Sequence, residues 1–247
     1  MKTKTRVRWG IIFSLLFTAT LLTTSCEDDD DGVLVIYSYE DAQEAIAISL
    51  AYESYGLVAN FDKVSEEIEG NHECEVLNEE SESETGDFTA SGLTTYVYDY
   101  TESFTKYCDP DLYVSYDLLA EQTIESVRIS KTHTIHVDFI TTGLEDSSEN
   151  EIYNGAYTRN GGWETVYSNE NYDFTYESDV VDVQVSKETG KIVSGTSTFT
   201  LTEEYSYNNL TYTYTGIVKF IDEDKAKITF DSGEVFYVNT NNLSISN

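Results

Sequence analysis

Between residues 88 and 245 the chain alternates: Thr, Tyr, Val, Ile and Phe recur at every second position, broken by short runs of Asn, Asp, Glu and Gly. A period of two places one apolar row on one face of a strand, and β-branched and aromatic side chains suit such a half-buried pleated surface. Turns are predicted at Asn160-Gly161-Gly162, Glu188-Thr189-Gly190, Asn208-Asn209, Asp222-Glu223-Asp224 and Asp231-Ser232-Gly233. No strand is followed by a stretch of helical period, so the expected fold is all-β and antiparallel: a large curved meander or open barrel, with one helix at its N-terminal end.

The hairpin over Asn208-Asn209 predicts a register. A two-residue loop pairs Tyr207 with Leu210, Tyr205 with Tyr212 and Phe199 with Val218. Tyr205, Leu201 and Phe199 then share an apolar face with Tyr212, Val218 and Phe220, while Glu204, Thr202, Thr200 and Thr198 share the polar one. Residues 123–140 read as one long strand carrying Ile135, Val137 and Phe139 on its apolar face. His133 and His136 stand three apart, so a strand sends them to opposite sides and they do not form a metal clamp. His133 is expected to be a partly buried sheet residue with a satisfied hydrogen bond.

Residues 39–60 carry the helical signal. Ala42, Ala45, Ile46, Ser49, Leu50 and Glu53 follow the i, i+3, i+4, i+7 spacing. Ser38 and Asp41 are spaced as a capping box, and Gly56 marks a stop. The polar side of this helix is acidic, so packing against the sheet is expected rather than a membrane surface. Residues 64–86, with Glu79-Glu80-Ser81-Glu82-Ser83-Glu84 at their centre, read as a solvated loop.

The N-terminal end has a different pattern. A basic stretch with Lys2, Lys4, Arg6 and Arg8 precedes an apolar run over residues 11–22, too short for a bilayer span of about 20 residues. Leu22-Thr23-Thr24-Ser25-Cys26 follows, the small residues that suit a peptidase cutting before a lipid-modified cysteine. Behind it stand Glu27, Asp28, Asp29, Asp30 and Asp31, a self-repelling and therefore extended run. The expected organisation is a signal peptide over 1–25, a lipidated Cys26 on an acidic tether over 26–32, and one β-rich domain over 33–247.

Cys26 followed by Glu27 to Asp31 resembles the lipoproteins of the Bacteroidota, whose export signal is an acidic run behind the lipidated cysteine. The segments Tyr153-Asn154-Gly155-Ala156-Tyr157, Lys191-Ile192-Val193-Ser194-Gly195 and Gly216-Ile217-Val218-Lys219-Phe220 are similar to an uncharacterised β-rich family of such lipoproteins, with an N-terminal helix and a long meander. The resemblance implies a lipid-anchored protein on the outer face of the outer membrane. It lends no catalytic residues.

Charge narrows the partners. The chain holds 46 Asp+Glu against 14 Lys+Arg, a formal net charge of -32. Nucleic acid and an anionic membrane face both need a basic surface, so neither is expected; the membrane partner is reached through lipid. With Cys26 lipidated, Cys74 and Cys108 remain, an even pair in an exported protein, and are read as a disulfide. A metal site on His72-Glu73-Cys74 is the alternative for that segment.

No zincin, nucleophile-elbow, phosphate-loop or dinucleotide motif occurs, so no catalytic residue, cofactor or metal is assigned. Tyr96, Tyr98, Tyr100, Tyr113, Tyr116 and Trp163 are candidates for a sugar-stacking platform, against the plainer reading of Tyr as a good strand residue with a wet end. The function expected is a surface-anchored binding or structural module with a glycan or a surface protein as partner. The alternatives are a lipocalin-like carrier, whose concave face would hold an apolar molecule, and an enzyme acting on extracellular polysaccharide.

Overall fold

The computed structural model describes residues 31–70, 72–87, 95–125, 130–164, 171–206 and 209–247. Eleven antiparallel strands follow one another in a single sheet, in chain order. They are β1 (Leu77–Asp87), β2 (Thr95–Tyr107), β3 (Tyr113–Glu125), β4 (Ser130–Thr142), β5 (Asn150–Glu164), β6 (Asn171–Ser186), β7 (Ile192–Tyr205), β8 (Leu210–Asp222), β9 (Lys225–Phe230), β10 (Val235–Asn239) and β11 (Ile245–Ser246). The sheet is open and meanders as the alternation required. One face, here the inner face, is covered by α1 (Asp31–Leu50), a 3₁₀ turn (Tyr52–Ser54) and α2 (Leu57–Glu69). Ala42, Ile46 and Leu50 of α1 and Phe61 and Val64 of α2 share one core with Tyr116, Phe139, Tyr157, Leu201 and Phe236 of the sheet.

The helical signal is real, but it is divided. Tyr55 takes a left-handed φ of 54°, and Gly56 begins α2 as its N-cap instead of ending a helix over 39–60. A Cβ on Gly56 would lie 2.6 Å from the Leu50 carbonyl carbon and 2.7 Å from the Ala51 oxygen, so only glycine lets the chain double back there. Ser54 Oγ donates to the Ile48 oxygen at 2.6 Å and closes the corner. The helix start also differs from the capping-box reading: α1 already spans Ser38, and Asp41 accepts from the Tyr205 hydroxyl at 2.9 Å.

Most of the segment 64–86 is not a loop. Residues 64–69 finish α2, and 77–86 belong to β1, paired residue for residue with β2. Glu80, Glu82 and Glu84 fall on the inner side of that strand. Glu82 accepts from Tyr100 at 2.9 Å, and Glu84 accepts from Tyr55 at 2.7 Å and sits 3.6 Å from Lys63. A repelling carboxylate row on an edge strand deters pairing with another chain, which gives an acidic run a reason to be strand.

Residues 123–125 end β3 and 130–140 belong to β4, two paired strands rather than one: Thr123 pairs with Thr132 and Ile124 with Lys131. Val127, Arg128 and Ile129 lie outside the described residues. The β7–β8 register is offset by two from the predicted one, Tyr205 meeting Leu210 and Phe199 meeting Gly216. An offset of two keeps every side chain on its face, and Phe199, Leu201, Val218 and Phe220 are buried as expected. Asn160-Gly161-Gly162 lies inside β5 and is not a turn. Gly161 is bare because the His133 ring lies over it: an added Cβ would come within 2.7 Å of Nδ1.

Candidate functional site

The predicted site residues are scattered, and several are sealed. Cys26 and Glu27 to Asp30 lie outside the described residues; Asp31 opens α1. Cys74 and Cys108 form a disulfide, which ties the segment after α2 to the end of β2. In the chain-entropy account, closing a loop of that size stabilises by roughly 3–4 kcal/mol. A sulfur so bonded is no metal ligand, and His72 turns instead to Glu67 at 3.2 Å, its ring 4.8 Å from Phe104.

The aromatic platform does not form. Tyr96, Tyr98 and Tyr100 share the parity of Phe104 and so point to the inner face, where Tyr98 and Tyr116 are wholly buried and Tyr100 nearly so. Tyr55 stacks on Tyr98 at 4.0 Å from the helical side. Tyr96, Tyr113 and Trp163 are half-buried at separate places, Tyr113 against Tyr107 and Trp163 beside His133.

Two groups of residues that sequence reading passed over are the distinctive chemistry of the inner face. The first centres on Arg159, wholly buried on β5. Its Nε donates to His133 Nδ1 at 3.0 Å, one terminal nitrogen donates to the Ile48 and Ser54 oxygens at 3.0 and 2.9 Å, and the other to Gln122 Oε1 at 2.5 Å. Among the described residues no carboxylate lies within 4 Å of this guanidinium. His133 must be neutral, since Nδ1 accepts from Arg159 while Nε2 faces the Gly162 oxygen at 3.1 Å. Burial, and then the Arg159 charge, hold its pKa well below the usual imidazole range.

The second group is acidic. Glu203 of β7 is wholly buried, accepting from Tyr172 at 2.5 Å and Tyr205 at 3.4 Å. Burial pushes its carboxyl up to about 8; the Tyr172 hydrogen bond opposes this and the nearby Asp41 adds to it. Tyr205 lies between Glu203 and Asp41 and has a single hydrogen to give. A proton on Glu203 relieves that shortage. The same tyrosine–carboxylate motif recurs as Tyr116 with Glu102 at 2.5 Å and Tyr153 with Glu151 at 2.6 Å. Oxygens of Glu67, Glu80 and Glu102 lie within 4.8 Å of one another where α2, β1 and β2 meet.

Much of the outer face over β3 to β8 carries short polar side chains, with Leu119, Ile140 and Ile217 exposed among them. Thr134, Thr158, Thr175, Thr200, Thr202 and Thr215 stand in cross-strand rows with Asn160 and Glu177. Because these side chains are small, the face holds depressions. A trough of about 820 Å³ crosses β1 to β5, lined by Ser83, Asp99, Leu119, Glu121, Thr134 and Asn160 among others. Thr134 and Asn160 also line a second depression of about 240 Å³ with Thr175 and Thr202, so the two adjoin across β4 to β7. A third, of about 560 Å³, lies over Ala156, Thr158, Glu177, Asp179, Thr198 and Thr215. Asn160 joins the rows, donating to Thr134 at 3.4 Å and accepting from Thr175 at 2.8 Å. No helix among the described residues is long and apolar enough to cross a membrane.

Comparison with family models, with curated proteins and with solved structures finds no match for this chain.

Proposed function

We propose that the protein is a surface lipoprotein of the Bacteroidota type, held to the outer membrane through Cys26, and that it binds an extracellular hydroxyl-rich polymer, a glycan, along its outer sheet face. The observation that carries this reading is the pair of adjoining troughs sharing Thr134 and Asn160. Hydroxyls, amides and carboxylates spaced across several strands can donate to and accept from successive sugar hydroxyls. The troughs together run from β1 to β7, long enough for an extended chain rather than a single small molecule.

Two features weigh against the competing functions. The inner face, where a carrier would hold an apolar ligand, is filled by α1, the 3₁₀ turn and α2. Among the described residues no pair of carboxylates on the outer face has an Arg beside it, because Arg159 is sealed on the other face.

Titration of the isotopically labelled protein with a set of soluble polysaccharides tests the reading. Amide shifts concentrated on residues such as Leu119, Thr134 and Asn160, and a loss of binding of tenfold or more in Thr134→Ala/Asn160→Ala, are expected. Binding that the double variant leaves unchanged would place the ligand elsewhere. The anchor is tested separately: Cys26→Ala should move the protein from the detergent phase to the aqueous phase, and persistent detergent partitioning would remove it.

A further inference from the structure

The Arg159 centre has more donors than its own acceptors can use. Register places its members together: Tyr98 lies opposite Gln122 and Gln122 opposite His133, with Arg159 one step along on the next strand. Tyr157 precedes Arg159 by two on the same face. The hydroxyls of Tyr98 and Tyr157 and the amide nitrogen of Gln122 are buried without a hydrogen-bond partner among the described residues. Arg159 spends four of its five N–H groups on Ile48, Ser54, Gln122 and His133, which leaves one, with the Tyr157 hydroxyl beside the same guanidinium. The carbonyl and amide oxygens at the centre are those same acceptors, already engaged.

The surplus is mainly of donors, a guanidinium N–H, two amide hydrogens and two phenol hydrogens, beside a positive charge with no carboxylate within 4 Å among the described residues. A buried charge without a counter-charge is costly, and so is each buried donor left unmade. Water could accept from Gln122 and give its two hydrogens to the phenol oxygens, but it brings no charge to set against the guanidinium. A group that accepts only, and is negative, fits on both counts. Each of these polar atoms is sealed from solvent under the corner between α1 and α2, so the group must be small. We infer that the Arg159 centre binds a monatomic halide, chloride in ordinary media, held by Arg159, Gln122, Tyr98 and Tyr157. The ion completes the junction between the helices and the sheet, and the site is independent of the outer-face troughs.

Thermal unfolding of the protein in sodium bromide and sodium chloride, against sodium gluconate at matched ionic strength, is the first test. A saturable rise in Tm with halide and none with gluconate is expected. Crystals grown in bromide should show an anomalous peak within hydrogen-bonding distance of Arg159 and Gln122. Equal Tm in all three salts, or density there without anomalous signal, overturns the inference in favour of water. Gln122→Glu supplies a carboxylate at the same place and should abolish the halide dependence. If that variant does not fold, Tyr157→Phe, which removes one hydroxyl, should weaken bromide binding several-fold; an unchanged bromide titration also overturns it.

Discussion

Arg159 and Glu203 are both wholly buried on the inner face, on strands β5 and β7, and neither has an opposite charge within 4 Å among the described residues. They meet burial in opposite ways. A guanidinium does not shed its proton, so Arg159 keeps its charge and spreads it over the carbonyl oxygens at the end of α1 and in the 3₁₀ turn, with Gln122 and His133. A carboxyl can shed its charge by taking a proton, and Glu203, lodged between two tyrosines, is pushed toward doing so. The arginine region therefore makes stability depend on an intact set of acceptors, and the acidic region makes it depend on pH.

Removing the arginine should produce the largest effect. Arg159→Leu leaves the Ile48 and Ser54 oxygens, Gln122 Oε1 and His133 Nδ1 buried without their donor. The expected loss is roughly 3–5 kcal/mol, seen as a lower urea midpoint with little change in slope. Arg159→Lys should recover only part of it, because one ammonium cannot reach acceptors on α1, the 3₁₀ turn, β3 and β4 together. A loss under about 1 kcal/mol would mean that the guanidinium does not hold the helices to the sheet.

The acidic region should respond next. The Glu203 pKa is about 8 folded, against about 4.3 for an unfolded glutamic acid. A carboxyl raised on folding binds its proton more tightly in the native state. Its contribution is full below pH 4.3, declines as pH rises, and is gone above 8. Glu203→Gln cannot ionise, so the wild type should lose roughly 2–4 kcal/mol relative to this variant between pH 5 and pH 8. Parallel pH profiles of the two proteins would show that Glu203 is not protonated in the fold. Asp41 and Glu44, both raised chiefly by burial, share the neighbourhood, which is why the difference between the two proteins is measured and not the wild-type profile alone.

Both residues were visible in the sequence as breaks in parity. Arg159 follows Tyr157 at strand spacing, and Glu203 falls between Leu201 and Tyr205, so each is a charge inside an apolar row. Period-two alternation fixes the face of a side chain, and that part of the fold was legible: the Phe199 row is buried, and His133 and His136 are on opposite sides. Parity does not say which charge will find acceptors, because those of Arg159 come from Ile48 and Ser54, more than 100 positions away. Local signals also failed where tertiary contact decides. Gly56 reads as a stop, yet its use is to let two helices approach; Glu79 to Glu84 read as solvated loop, yet they pair with β2 as a strand. The aromatic candidates failed for the same reason: as good strand residues, Tyr96, Tyr98, Tyr100, Tyr116 and Trp163 fall on the face that the helices cover, while Tyr113 stands on the outer face against Tyr107.

A smaller test separates the two partners of Glu203. Tyr172→Phe removes the 2.5 Å hydrogen bond and leaves the ring against Phe174 and Tyr205. With Glu203 protonated, the loss should be about 1 kcal/mol at pH 5; with it ionised, about 1.5–3 kcal/mol at pH 9, because a bond to a charged acceptor is stronger. An equal loss at both pH values would indicate one protonation state throughout, and would contradict the pH dependence expected of Glu203.

The outer face supplies the smallest expected effect and the sharpest contrast with both buried regions. Thr200 stands on β7 between Glu177 of β6 and Thr215 of β8, partly open to solvent and over one of the depressions. It belongs to the polar row, and among the described residues no second layer covers that face. Thr200→Ala should therefore change stability by no more than about 0.5 kcal/mol, at pH 5 and pH 8 alike. A loss comparable to that of Tyr172→Phe would mean that the threonine rows support the fold as the inner face does. Side chains engaged in that way would not be available to a ligand, so the same measurement bears on the polymer-binding role of this face.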